Sequence, residues 1–399
     1  MTPVRFAHLI ESDGPGGAER MLASVAADLQ ATGSDTLVIA PARGEGWLAR
    51  ELRGTGVQVE LFHLDRPFSP KFARWLGEVF RRHRVALAHS HEFTMAVYGA
   101  WAARRAGIPH LITMHGSRYY AGRLRRRIAM RLAAQASSAV VAVSRTLSRH
   151  LARDLWIRPS RIVTIPNGVQ RALTDAPSTL RAELELQSGD QLVVAVGNLY
   201  PVKGHAVLLD ALALLAARFP RLHVAIAGRG ELERPLRRRA EELQVSDRFH
   251  LLGLRADIAN VLAGADVFVL PSLSEGVPLA LLEAMLTAKP VVASAVGDVP
   301  TVLDGGRAGL LVPPSDAAAL AARLDELLSH PARARALSAA AQARATADYT
   351  FDVMMDAYRA LYAQALGQQA HDGGSKRIRE GKREALPQDG TQGKRALVR

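Results

Sequence analysis

Apolar residues in this chain concentrate in short runs, several interrupted by one or two polar residues, divided by longer stretches in which they recur every third or fourth position. The first runs cover residues 4–10, 36–40, 57–61, 85–89, 110–114, 139–143 and 161–165, and the stretch from Ala18 to Gln30 has helical spacing. Runs dominated by apolar residues suit strands buried on both faces, and their alternation with helices predicts a parallel, doubly wound α/β sheet. Pro166-Asn167-Gly168 marks a turn, and the charged stretch 170–190 reads as a connector. The pattern restarts with runs at 191–196, 222–227, 248–252, 266–270, 290–294 and 309–312. Two such units, 1–170 and 171–349, predict a cleft between them. Residues 350–366 complete an amphipathic helix, and 367–399, rich in Gly, Gln, Lys and Arg, reads as a disordered basic tail.

A length of 399 residues gives each unit enough chain for its own core. The absence of cysteine excludes disulfides and thiolate metal sites. No charge-free apolar run is long enough to span a membrane, and the start of the chain lacks a signal-peptide pattern, so a cytoplasmic location is expected. The net charge of +13 is uneven: residues 1–170 carry +12, residues 171–366 carry −3 and residues 367–399 carry +4. The first half is therefore the part that would face an anionic partner.

Several segments carry candidate chemistry. A glycine turn leading into a helix presents free N–H groups and the positive end of the helix dipole, which favours an anion. Gly16 and Gly17 precede one such helix and Gly204 precedes another, with Lys203 adding a full charge beside it; turn geometry alone would also account for these glycines. In the segment EGVPLALLE, Glu275 follows the buried run 267–270 and Glu283 lies eight positions on. A carboxylate at the carboxyl end of such a sheet can accept paired hydroxyl bonds from a sugar or ribose. Taken alone, the two residues read equally as a solvated loop carboxylate and a helix-surface carboxylate. His115 ends the run LITMH, and His89 and His91 end the run before it; each suits a cleft lining or a satisfied structural role.

Other devices are missing. There is no Asp-x-Asp pair to hold a metal-bound diphosphate, no GxxxxGK[ST], no GxGxxG after the first strand and no GxSxG elbow. Histidines scattered along a thiol-free chain make a poor metal site. No metal and no cofactor are expected.

The segments GGAER (16–20), IPNGV (165–169), GNLYPVKG (197–204), GRGEL (228–232), EGVPLALLE (275–283) and GLLVPPSD (309–316), in that order, resemble the retaining glycosyltransferases of family 4. The resemblance covers nearly the whole chain to residue 366 and implies the GT-B fold, two Rossmann-like domains facing each other across a cleft. It implies transfer of a hexosyl unit from a nucleotide-diphosphate sugar to a hydroxyl acceptor, a saccharide or lipid-linked saccharide of cell-envelope or exopolysaccharide synthesis. It gives His115, Lys203 and Glu275 catalytic positions. Gly16, Gly17, Gly197, Asn198, Arg229, Gly276, Val277, Pro278, Leu279 and Glu283 complete the nucleotide-sugar site, with Glu283 on the ribose, and His89 and His91 border the acceptor. Many members carry Arg where this chain has Asn198, and Arg229 is expected to restore that charge.

The segment RYYAGRLRRRIAMR (118–131) interleaves arginines with apolar and aromatic residues, which suits an anionic membrane surface or a solvated basic helix face. Two rival readings are a nucleotide-sugar epimerase of the same architecture and a basic nucleic-acid-binding protein. The glutamate spacing and the KG turn oppose the first, and the lack of any nucleic-acid motif opposes the second.

Overall fold

The computed structural model describes residues 3–44, 46–64, 69–116, 123–170 and 177–384, with side chains as far as Gly367. The runs read from the sequence form thirteen strands in two sheets. The first sheet holds β1 (Arg5–Leu9), β2 (Asp35–Pro41), β3 (Gln58–Phe62), β4 (Leu87–His91), β5 (His110–Met114), β6 (Ala139–Ala142) and β7 (Ile162–Thr164). The second holds β8 (Gln191–Val196), β9 (Leu222–Ala227), β10 (Phe249–Gly253), β11 (Val267–Leu270), β12 (Val291–Ser294) and β13 (Leu310–Val312). The strand orders are β3-β2-β1-β4-β5-β6-β7 and β10-β9-β8-β11-β12-β13. All pairs are parallel.

Alternate residues of each strand feed cores on opposite faces, as the pleat requires. In β11, Val267 and Val269 join the cluster of Leu208, Leu212, Leu320 and Leu324, while Phe268 and Leu270 join that of Leu281, Met285 and Val299. On one face of the first sheet, Phe6, Leu87, Leu111 and Val141 pack with Val25 and Leu29 and with Met355, Tyr358 and Tyr362 of the last helix. That helix, Phe351–Glu384, thus returns from the second unit to cover the first. Val169 N donates to Tyr349 O, and Phe351 N donates to Val169 O, at 3.0 Å each, so the two passages of the chain between the sheets run side by side.

The helix runs on to Glu384, into the stretch from Gly367 read from the sequence as a disordered basic tail; residues 385–399 lie outside the described residues. This stretch lacks an apolar stripe and holds Gly367, Gly373, Gly374 and Gly381, each of which weakens a helix by about 1 kcal/mol relative to alanine.

Candidate active site

Each strand order reverses direction once, between β1 and β4 in the first sheet and between β8 and β11 in the second. Loops leaving the carboxyl ends of neighbouring strands diverge at such a point and open a crevice. The two crevices meet in one cavity of about 340 Å³. Gly16 and Gly17 reach it from the end of β1, His115 from β5, Gly197, Asn198 and Lys203 from β8, and Glu275 to Leu279 from β11. Glu283 enters from the helix Leu279–Leu286. The two sides approach closely: a Cβ on Gly17 would lie 3.8 Å from Leu279 Cδ1, and one on Gly276 would lie 3.8 Å from His115 O.

Backbone geometry brings the charged groups together. Gly204 has φ +65°, and a side chain there would meet Pro271 O at 2.0 Å, so only glycine lets the turn after Lys203 seat against the turn after β11. Leu273 N donates to Val202 O at 2.8 Å, and Lys203 Nζ donates to Glu275 Oε1 at 2.7 Å. Ser272 Oγ donates to the same oxygen at 2.6 Å. Glu275 is nearly buried while Lys203 keeps more exposure, which leaves the ammonium accessible from the cavity.

Gly297, with φ +55°, braces the other side, since a Cβ there would sit 1.9 Å from Glu275 O. The next residue, Asp298, is buried and accepts from Arg145 N at 2.7 Å and Thr146 N at 2.9 Å. It therefore caps the helix Arg145–Leu155 of the first unit with a carboxylate from the second.

Burial pushes the Glu283 carboxyl above the usual carboxylate range, and the positive charge of Arg20 draws it back down. His115 is pushed down to about 4 by burial and is therefore neutral near pH 7. The site combines an ammonium, two carboxylates, helix-start amides and a neutral imidazole. That set can stabilise a diphosphate and accept hydroxyl hydrogen bonds.

Residues 178–344 match the family model for glycosyl transferases group 1, and residues 15–173 match that for glycosyltransferase family 4. The D-inositol 3-phosphate glycosyltransferase of Frankia alni is 32% identical over 280 residues, which are 64% of this chain and 69% of that protein. The chain belongs to glycosyltransferase family 4. A second relative, the UDP-Gal:alpha-D-GlcNAc-diphosphoundecaprenol alpha-1,3-galactosyltransferase of Escherichia coli, is 30% identical over 236 residues. That match is 55% of this chain and spans only 60% of the relative's length. The fold is GT-B: the Anabaena protein HepE, solved with UDP and glucose, superposes with a TM-score of 0.77 over 90% of this chain and 99% of that one, at 23% identity.

Arg229 is expected from the sequence to restore the charge absent at Asn198. Arg229 does not line the cavity, and its side chain is exposed. The backbone explains this: Leu199 N donates to Arg229 O at 2.9 Å, and Gly228 and Gly230 press against the backbone of residues 197–199, which fixes the turn with residue 229 outward. The arginines that do line the cavity are Arg20 and Arg255, neither expected from the sequence. Arg255 already binds Asp257 at 2.6 and 2.8 Å and Glu183 at 2.8 Å, so its charge is largely satisfied. Arg20 makes no ion pair among the described residues and faces Glu283. Its signal was present in GGAER, where one turn of helix carries it from Gly16 back to the cavity mouth.

The histidines are not scattered. Parallel pairing sets His8 of β1 in register with His89 of β4, and His8, His89 and His91 form a buried cluster whose ligand atoms lie within 4.8 Å of one another. His89 faces away from the cavity, with Nδ1 2.8 Å from Tyr362 Oη and Nε2 2.7 Å from Thr113 Oγ1. His91 Nδ1 lies 3.2 Å from His115 Nε2. Of the expected basic segment, residues 118–122 lie outside the described residues. Arg123 precedes the helix Leu124–Ala136, which presents Leu124, Ile128 and Leu132 at 63%, 48% and 60% exposure. No helix among the described residues is long and apolar enough to cross a membrane.

Proposed function

We propose that this chain is a retaining, metal-independent hexosyltransferase that moves a sugar from a nucleotide diphosphate to a hydroxyl of a saccharide or lipid-linked saccharide. The observation that carries this reading is the convergence of Lys203, Glu275 and Glu283 on one cavity where both sheets reverse direction. Glu275 accepts hydroxyls of the transferred sugar, and Glu283 accepts those of the ribose. Lys203, Arg20 and the backbone N–H groups of Gly276, Val277 and Leu279 stabilise charge growing on the diphosphate, a preorganised effect of several kcal/mol. In the step itself, the bond from C1 to the phosphate oxygen breaks, the acceptor oxygen bonds C1 on the same face, and its proton passes to the departing phosphate oxygen. No separate protein base is then required.

Thermal-shift measurements with UDP-, GDP- and ADP-sugars test the donor site, with Glu283→Ala as control. Stabilisation by one donor, lost in the variant, is expected. Incubation with donor alone should leave the sugar unchanged, whereas its epimerisation would sink the reading. Product with inverted anomeric configuration would refute retention, and activity abolished by EDTA would refute metal independence.

The same proposal extends to the acceptor side. The ridge of Leu124, Ile128 and Leu132 is flanked by Arg125 and Arg131, and Arg127 and Arg131 lie over the Trp156 ring at 4.9 and 5.6 Å. Apolar and basic groups on one face suit an anionic lipid surface on the inner side of a membrane. Vesicles with anionic lipid should retain the protein at low salt, and Ile128→Asp should release it. Equal retention by neutral vesicles would remove the charge argument.

A further inference from the structure

The buried histidines form a line that ends in the cavity. His8 Nδ1 lies 3.5 Å from His91 Nε2, and His91 Nδ1 lies 3.2 Å from His115 Nε2. Burial keeps all three imidazoles neutral near pH 7. A neutral imidazole carries one N–H and one lone pair, so the line has two possible directions.

In one direction His115 donates to His91, His91 donates to His8, and His8 Nε2 must carry a proton. That atom is buried and has no hydrogen-bond partner among the described residues. An orphaned buried N–H is rarer in proteins than an acceptor left without a donor. In the other direction His8 Nδ1–H donates to His91 Nε2 and His91 Nδ1–H donates to His115 Nε2. The atom left unpaired is then only a lone pair on His8, and the proton of His115 sits on Nδ1, the ring nitrogen not engaged by His91.

We infer that His8 and His91 are positioning residues that fix His115 as an Nδ1–H donor, so that this side of the cavity selects a donor sugar presenting a hydroxyl oxygen to it. The inference rests on the hexosyltransferase reading for the identity of the ligand, but the tautomer itself does not. His89 takes no part in the line, because hydroxyls of Tyr362 and Thr113 occupy both of its nitrogens.

Long-range proton–nitrogen NMR of ¹⁵N-histidine-labelled protein without ligand reads the tautomer directly, with His115→Asn giving the assignment. His115 should show a protonated Nδ1 and a bare Nε2. The opposite tautomer, or an imidazolium near pH 7, overturns the inference whatever the enzyme does. In activity assays, His8→Phe should lower kcat/KM for the donor about tenfold, with stabilisation by the nucleotide diphosphate alone unchanged. His8→Asn, whose amide N–H replaces Nδ1–H, should restore most of it. If His8→Phe does not fold, the wild-type spectrum still decides. Stoichiometric zinc in the purified protein, lost in His8→Asn, would show a metal cluster instead and would overturn the relay.

Discussion

Lys203 Nζ and Glu275 Oε1, carried by the turns after β8 and β11, are joined at 2.7 Å at the wall of the cavity between the two sheets. Glu275 also accepts from Ser272, so the lysine can turn to an incoming phosphate without stranding the carboxylate. The pair thus holds the site in order before ligand arrives.

Removing the ammonium should act mainly on the reacting state. Lys203→Ala is expected to lower kcat/KM for the nucleotide sugar by about 10²–10³, with kcat reduced more than KM is raised. Steady-state kinetics check this. A change confined to KM would make Lys203 a simple binding residue.

Arg20 holds the half-buried Glu283 carboxyl below the value that burial alone would give it. In Arg20→Ala that restraint is gone, the carboxyl binds its proton at higher pH, and the ionised form needed for the ribose is lost sooner on acidification. The acid limb of the kcat/KM profile should move to higher pH, and an unmoved limb would separate the two residues.

Glu92 should make stability fall with rising pH. Burial, with Glu11 second, pushes its carboxyl up to about 8, partly offset by the His115 N–H. An unfolded glutamate titrates near 4.3, so between that value and 8 the folded chain retains a proton that the unfolded chain has released. The contribution is complete below the lower limit and is lost as pH rises through the upper one. Urea unfolding at pH 6.5 and pH 9 should show this decline, and Glu92→Gln should flatten it.

Asp298 should matter although it bears no ligand. Asp298→Ala leaves Arg145 N and Thr146 N without their acceptor and is expected to cost about 1–2 kcal/mol. Hydrogen exchange should quicken in the helix Arg145–Leu155. An effect confined to the second unit would show that the cap is not coupled to it.

The sheets were legible because strands buried on both faces are rich in apolar residues, so the run over 110–114, with Leu111, Ile112 and Met114, could be read without knowing its neighbours. Glycine turns and glutamates were legible because backbone restrictions leave a local trace. What depends on register was not: His8 and His89 are far apart in sequence and meet only when β1 pairs with β4. Nor does the sequence show that the turn holding Arg229 is packed by backbone contacts with residues 197–199, with its side chain exposed.

The adjacent passages at Val169 and Thr350 join the sheets along one seam, like covers bound at a spine. Asn167, beside that seam, also borders the cavity. A change at that spine would therefore disturb the joint between the sheets and the cavity wall together.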